Sequence, residues 1–166
     1  MKAKYRILAL AVPIILVADQ LTKLYIDRTM KLYQSIPVVD SLFSITYLRN
    51  KGAAFSFLSD ASWRLPFFVL ATVVAVIAII TAFCKLKDEQ RFAALSLSLI
   101  LSGAIGNLID RVRMGEVVDF LDVYWRNHHW PAFNVADSAI CVGVAMLALD
   151  LFREERRVKK QGVAES

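Results

Sequence analysis

Four long apolar segments constrain the fold of this chain more than any other feature of its sequence. They cover residues 6–26, 65–84, 92–109 and 132–152 approximately, and a helix that crosses a membrane needs about 20 apolar residues. Hydrophobic residues make up 57% of the chain, above the roughly 45–50% of ordinary soluble domains. The sequence therefore predicts a single membrane-embedded domain, residues 1–166, built as an all-α bundle of four transmembrane helices.

The first apolar segment shares some features with a cleavable signal peptide. Basic residues at Lys2, Lys4 and Arg6 precede the apolar stretch, as they do in secretory leaders. However, no A-x-A cleavage site follows that stretch, and polar residues such as Asp19 and Lys23 come directly after it. We therefore interpret the segment as an uncleaved first membrane helix.

Basic residues concentrate in three segments that share one side of a four-helix bundle. They precede the first span, occupy the 85–91 link and fill the 153–166 tail. The positive-inside rule places such segments in the cytoplasm, so we expect both termini to be cytoplasmic. A basic tail also occurs in proteins that bind nucleic acid, but beside a membrane helix it favours contact with anionic lipids. We therefore expect membrane lipids, and no nucleic acid, among the partners.

The two remaining loops, about 27–64 and 110–131, then face outward. Residues 36–50 are rich in β-branched and aromatic types with partial alternation, which predicts two or three short strands. Residues 59–65, which include Trp63, favour a turn or short helix at the membrane interface. We expect a small extracytoplasmic β-sheet and an interfacial amphipathic segment that together roof the bundle.

Two aspartates, Asp119 and Asp137, lie at the edges of apolar segments. A charged residue inside the bilayer costs roughly 2.5–3.5 kcal/mol on insertion scales, so a chain that keeps two of them near one another is expected to use them. Two acids in a dry cleft do not both ionise readily, which leaves one general acid and one general base. Hydrolysis of a peptide bond by water requires that combination. The alternative is that each aspartate only caps a helix or interacts with its dipole.

Further polar residues gather at the same ends of the predicted spans. The groups are Asp19 with Lys23; Asn50 before Gly52; Asn107, Asp110 and Arg111; and Asn134, Asp137 and Ser138. Asp19 and Lys23 have the favourable spacing and order for an ion pair within a helix, which would be a structural role. Arg111 could pair with an acid or bind a substrate carbonyl. The convergence of four such groups at one membrane depth favours a functional site.

Other chemistries have weaker support. The sequence has no H-E-x-x-H motif, and adjacent His128 and His129 lack the one-face spacing of a zinc site, so we expect no metal and no cofactor. A dyad of Ser138 and Lys23 has no supporting motif. A small transporter or proton-pathway protein would use the same intramembrane carboxylates. In this chain, however, the polar residues gather at one end of the spans and do not thread them.

Five motifs follow one another along the chain: residues 19–23 (DQLTK), 49–56 (RNKGAAFS), 103–111 (GAIGNLIDR), 117–120 (VVDF) and 133–138 (FNVADS). In this order they resemble the motifs of the bacterial lipoprotein signal peptidase family, also called signal peptidase II. The resemblance covers nearly the whole chain apart from the basic tail. No position that carries the family's chemistry departs from the pattern.

The resemblance implies an aspartic endopeptidase of the bacterial cytoplasmic (inner) membrane that uses no metal. Its catalytic aspartates fall on Asp119 and Asp137. The family's other recurrent polar positions fall on Asp19, Lys23, Asn50, Gly52, Asn107, Arg111 and Asn134. The implied substrates are lipid-modified prolipoproteins, cut just before the diacylglyceryl-cysteine near the extracytoplasmic face. Because the family is the target of cyclic peptide antibiotics such as globomycin, the resemblance also implies an inhibitor that contacts both aspartates.

Overall fold

The computed structural model describes residues 2–52 and 63–164. These residues form α1 (Ala3–Thr29), β1 (Ser35–Val39), β2 (Phe43–Asn50), α2 (Arg64–Lys85), α3 (Arg91–Met114), β3 (Val117–Trp125), β4 (His128–His129) and α4 (Val135–Ala164). All four helices are long and apolar enough to cross a membrane, which confirms the predicted bundle. Their ends differ from the prediction by several residues. α3 continues past 109, α4 starts three residues after 132, and the basic tail begins as a continuation of α4.

α3 is the central helix of the bundle, and small side chains let its neighbours approach. Ser98 and Ser102 are fully buried, and each hydroxyl donates a hydrogen bond to the carbonyl four residues earlier, at 2.6 Å. A Cβ at Gly103 would lie 2.2 Å from the carbonyl oxygen of Ala136. The α3 and α4 backbones therefore touch, as small residues allow between membrane helices.

The sheet combines strands from both outer loops. Its strand order is β1-β2-β3-β4, and every neighbouring pair is antiparallel. The strands predicted in residues 36–50 correspond to β1 and β2, whereas β3 and β4 come from a segment that the sequence indicated only as a loop. The sheet packs on the end of α1, where Tyr47, Val118 and Phe120 bury Ile26. This contact holds the sheet over the bundle.

Two local features bring the start of α4 next to β3. Gly115, with a φ of +73°, ends α3 in the left-handed conformation, and β3 begins two residues later. Phe133 then pairs with Leu121 of β3, because each backbone N–H donates to the other's carbonyl at 3.1 and 2.8 Å. The segment that leads into α4 is therefore fixed against the middle of β3.

The predicted interfacial segment lies mostly outside the described residues, which resume at 63. Trp63 is exposed and directly precedes α2.

Candidate active site

Asp119 lies in β3, where it pairs with Leu48 of β2. Its side chain is almost fully buried, at 2% exposure. Both carboxylate oxygens accept amide hydrogen bonds: Oδ2 from Nδ2 of Asn50 at 3.0 Å and Oδ1 from Nδ2 of Asn134 at 2.8 Å. The end of β2 and the start of α4 therefore both support this carboxylate.

Asp137 occupies the first turn of α4 and also accepts two hydrogen bonds. Nδ2 of Asn107 donates to its Oδ1 at 2.7 Å, and the backbone N–H of Asn134 donates to its Oδ2 at 3.3 Å. In return, the Asp137 backbone N–H donates to the Asn134 side chain at 2.9 Å. This reciprocal pair is a capping box. The capping alternative therefore describes one function of Asp137, but it does not apply to Asp119, which lies in a strand.

Asn134 links the two aspartates, because its side chain reaches Asp119 while its backbone reaches Asp137. Burial raises the pKa of Asp119 to about 7, and the negative charge of Asp137 adds to that rise. The hydrogen bonds from Asn50 and Asn134 act in the opposite direction. At neutral pH the pair can therefore hold one proton and one charge, as general acid–base chemistry requires.

A buried ionic cluster around Lys23 lies next to Asn107, on the side of its amide that faces away from Asp137. The Lys23 ammonium contacts the carboxylates of Asp19 and Asp110, both at 2.9 Å, and donates to Oδ1 of Asn107 at 3.0 Å. These three contacts match the three hydrogens of an ammonium group. The predicted pair of Asp19 and Lys23 is confirmed as an ion pair. Through Asn107, the cluster is one side chain away from Asp137.

Arg111 lies half-buried on α3, close to the aspartates. Its guanidinium donates to the carbonyl of Asn107 at 3.3 Å and lies 5.6 Å from the ring centre of Phe68. Within residues 2–52 and 63–164 it forms no ion pair with a carboxylate. Within the described residues, one hydrogen bond uses only part of its five N–H donors, so the group can bind a further ligand.

Gly52 controls the orientation of Asn50. Its backbone N–H donates to Oδ1 of Asn50 at 2.7 Å, which directs the NH₂ group of that amide to Asp119. Gly52 has a φ of +95°, and a Cβ would lie 2.6 Å from the ring of Phe68. Glycine adopts this backbone conformation without strain and leaves room for the Phe68 ring.

Two participants were absent from the polar groups predicted from the sequence: Gln20 and Phe68. Gln20 donates to Asp19 and to Asp110, both at 3.1 Å. Asp110, which the sequence analysis placed in one polar group with Asn107 and Arg111 by helical spacing, lies in the ionic cluster around Lys23. Phe68 carries no comparable signal, because an aromatic residue in an apolar span is usually a packing residue.

Ser138, His128 and His129 do not join this site. The Ser138 hydroxyl donates to the carbonyl of Asn134 at 2.9 Å. His128 and His129 are exposed on β4, and Nδ1 of His129 lies 2.9 Å from a carboxylate oxygen of Asp122. Among the described residues, no group of three His, Cys, Asp or Glu side chains has an arrangement that could hold a metal ion.

Comparison with known proteins identifies the family. A family model described as signal peptidase (SPase) II matches residues 11–153. The chain belongs to this family. It is 68% identical over 160 residues to the protein named lipoprotein signal peptidase in Geobacter metallireducens, covering 96% of this chain and 99% of the relative. The protein of the same name in Geobacter sulfurreducens is 69% identical over 157 residues, covering 95% and 98%.

Two solved structures of bacterial membrane enzymes share the fold. One superposes with a TM-score of 0.79 at 35% identity, covering 89% of this chain and 88% of that chain. The other superposes with a TM-score of 0.78 at 37% identity, covering 87% and 91%. The protein is therefore a multi-pass membrane protease of the signal peptidase II type, located in the bacterial inner membrane. The transporter alternative is not favoured.

Proposed function

We propose that Asp119 and Asp137 are the catalytic pair of an aspartic endopeptidase that removes signal peptides from lipid-modified prolipoproteins. One observation carries the proposal: two carboxylates from separate elements converge on Asn134, and each is held by two N–H donors. The elevated pKa of Asp119, about 7, supports a pair that shares a single proton near neutral pH. The names of the two Geobacter relatives support the substrate class.

The reaction proceeds through a tetrahedral intermediate. The ionised aspartate takes a proton from water while the water oxygen bonds to the scissile carbonyl carbon, and the protonated aspartate donates its proton to the carbonyl oxygen. Each aspartate has then exchanged its protonation state. When the C–N bond breaks, the newly protonated aspartate donates to the amine nitrogen, and a hydroxyl of the intermediate returns its proton to the other. The free amine then belongs to the diacylglyceryl-cysteine, and both aspartates regain their starting states.

Arg111 binds a substrate carbonyl beside the scissile bond. Its guanidinium is partly desolvated against Phe68 and makes one hydrogen bond within the part of the chain that the structure describes, so a backbone carbonyl would be a suitable further acceptor. Its positive charge close to both aspartates would also stabilise negative charge that develops on oxygen during the reaction.

The substrate enters laterally from the membrane, with its acyl chains still in the bilayer. The site lies where α1 and α3 end and α4 begins, opposite the end that carries Lys4 and the 85–91 link. Since the basic segments are expected on the cytoplasmic side, both termini are cytoplasmic and the site lies near the extracytoplasmic face. The basic tail contacts anionic lipids. Cyclic peptides such as globomycin inhibit by binding at the two aspartates.

The test is a cleavage assay with a lipidated prolipoprotein and the purified full-length protein. Asp119→Asn and Asp137→Asn should each abolish cleavage, because Asn can neither accept the proton from water nor donate one. Asp122→Asn is the matched control: it lies on the same strand, three residues away, where Thr46 and His129 contact it, and it should retain activity. If a folded Asp119→Asn or Asp137→Asn protein kept more than a few per cent of the wild-type rate, the pair would be wrong.

A further inference from the structure

The side-chain amides of Asn50 and Asn107 donate to Asp119 and Asp137, and a different group orients each amide. The carbonyl oxygen of Asn50 accepts from a neutral backbone N–H, that of Gly52. The carbonyl oxygen of Asn107 accepts from the Lys23 ammonium at 3.0 Å and from Nδ2 of Asn134 at 3.2 Å. An ammonium has only donors, so the Asn107 oxygen must face Lys23. The NH₂ group must then face Asp137.

This difference distinguishes the two aspartates. Asp137 receives its Asn107 hydrogen bond from an amide polarised by a cation, and it lies in the first turn of α4, where the helix dipole favours negative charge. Asp119 lies in a strand, and both of its donors are neutral amides. The surroundings therefore stabilise a negative charge on Asp137 more than one on Asp119.

We propose that Lys23 is a positioning residue that acts through Asn107: it orients that amide towards Asp137, keeps the negative charge of the pair there and leaves the proton on Asp119. The inference deepens the proposed function and rests on the same catalytic pair. In the first step Asp137 then takes the proton from water, and Asp119 donates to the substrate carbonyl. All three donors of the Lys23 ammonium are used within the cluster, so its effect on the reaction is exerted through Asn107.

Other charges near the pair set the sign of the test. Asp19 on α1 and Asp110 on α3 partly offset the charge of Lys23, and Arg111 on α3 adds positive charge. The charge of Lys23 lowers the pKa of Asp119, whereas the charge of Asp137 raises it. Loss of Lys23 should therefore make both ionisations of the pair occur at higher pH.

The experiment compares pH–rate profiles of the full-length protein on a lipidated prolipoprotein. Lys23→Met alone would leave two buried carboxylates without a cation, so Lys23→Met is combined with Asp110→Asn and compared with Asp110→Asn alone. Relative to Asp110→Asn alone, both limbs of the kcat profile of the double variant should move to higher pH by on the order of one unit, while KM stays unchanged. Asp110→Asn alone removes a negative charge and should leave the limbs in place or move them to lower pH.

Asn107→Ser is the second variant, and it decides the outcome if the double variant does not fold. It keeps Lys23, Asp19 and Asp110 but removes the donor to Asp137, so the limbs should again move to higher pH. A fall in kcat at every pH with unshifted limbs would mean that Lys23 only supports the structure, and it would overturn the inference.

The position of the proton is measured separately, from the carboxylic acid C=O band in infrared spectra at mildly acidic pH. A component of the band should disappear in Asp119→Asn and persist in Asp137→Asn. The reverse pattern, or no change in either variant, would overturn the assignment. Activity of either Asn variant would instead refute the catalytic pair itself, so a failure of this inference and a failure of the proposed function give different results.

Discussion

Gly52→Ala tests whether the backbone around Asn50 controls the catalytic site. At a φ of +95°, a residue with a Cβ is strained by about 1–3 kcal/mol. The new Cβ would also lie 2.6 Å from two carbons of the Phe68 ring, so the ring or the loop must move. Movement of the loop would displace the N–H that orients Asn50, and movement of the ring would displace the surface against which Arg111 lies.

The expected result is a loss of both stability and activity. Asp119 becomes charged as it donates its proton to the substrate carbonyl, so loss of the oriented Asn50 hydrogen bond, worth about 1.5–3 kcal/mol to a charged acceptor, corresponds to a decrease in kcat of about 10- to 100-fold. Cleavage of a lipidated prolipoprotein measures the rate. Thermal unfolding in detergent, followed by tryptophan fluorescence, measures stability.

Gly115→Ala is the matched control for Gly52→Ala. Gly115 also has a positive φ, +73°, but a Cβ there meets only a side-chain carbon of Leu65 at 3.7 Å, an ordinary contact. Both variants should lose stability through backbone strain, and only Gly52→Ala should lose most of its activity. If the two variants had the same kcat/KM, the orientation of Asn50 by Gly52 would not matter for catalysis.

Two further predictions concern stability. Since the pKa of Asp119 rises from 3.8 to about 7 on folding, its protonated form favours the folded state; this contribution is complete below pH 3.8 and is lost as the pH rises through about 7. The unfolding midpoint of the wild type relative to Asp119→Asn should fall over that range, and a constant difference would contradict the elevated pKa. Lys4 is buried and donates to the carbonyls of Phe83, Cys84 and Leu86 at the end of α2. Lys4→Met should therefore lower the free energy of unfolding by about 1–3 kcal/mol and leave kcat unchanged. Lys2→Met, at an exposed position, is its control; equal unfolding midpoints for the two variants would mean that the Lys4 contacts contribute nothing.

The sequence predicts the helices well and the sheet only in part, for a physical reason. Each span is a local property of about 20 apolar residues, and no distant contact is needed to recognise it. β3 is different, because Asp119 and Asp122 interrupt its apolar residues and its stability depends on pairing with β2, about 70 positions earlier in the chain. Its run of Val117, Val118, Phe120 and Leu121 is the signal that could have identified it.

The polar residues of the site were predictable as a group, but their partners were not. Asn134 could be recognised as part of a polar face, yet its contact with Asp119 depends on the pairing of Phe133 with Leu121. Similarly, nothing local to Asn107 indicates which end of its amide faces Asp137. That orientation follows from Lys23, on another helix.

The small residues of α3 illustrate how packing and chemistry combine in this protein. Their spacing, with Ser98, Ser102 and Gly106 four residues apart, indicates close helix packing. At Gly106 the structure adds a second reason, because a Cβ there would lie 2.6 Å from Oδ2 of Asp19. The space at this glycine therefore admits a carboxylate.

That carboxylate connects the ionic cluster to the rest of the site. Asp19 accepts from the backbone N–H of Ala136 at the start of α4 at 2.9 Å, and Asp110 accepts from the backbone N–H of Val118 in β3 at 3.3 Å. Buried ion pairs are weak contributors to stability, because the loss of hydration offsets their attraction. The cluster is better explained by its position: around Lys23 it joins α1 and α3 to the two elements that carry Asp119 and Asp137. Separation of the two aspartates would thus require breaking contacts to a buried charge.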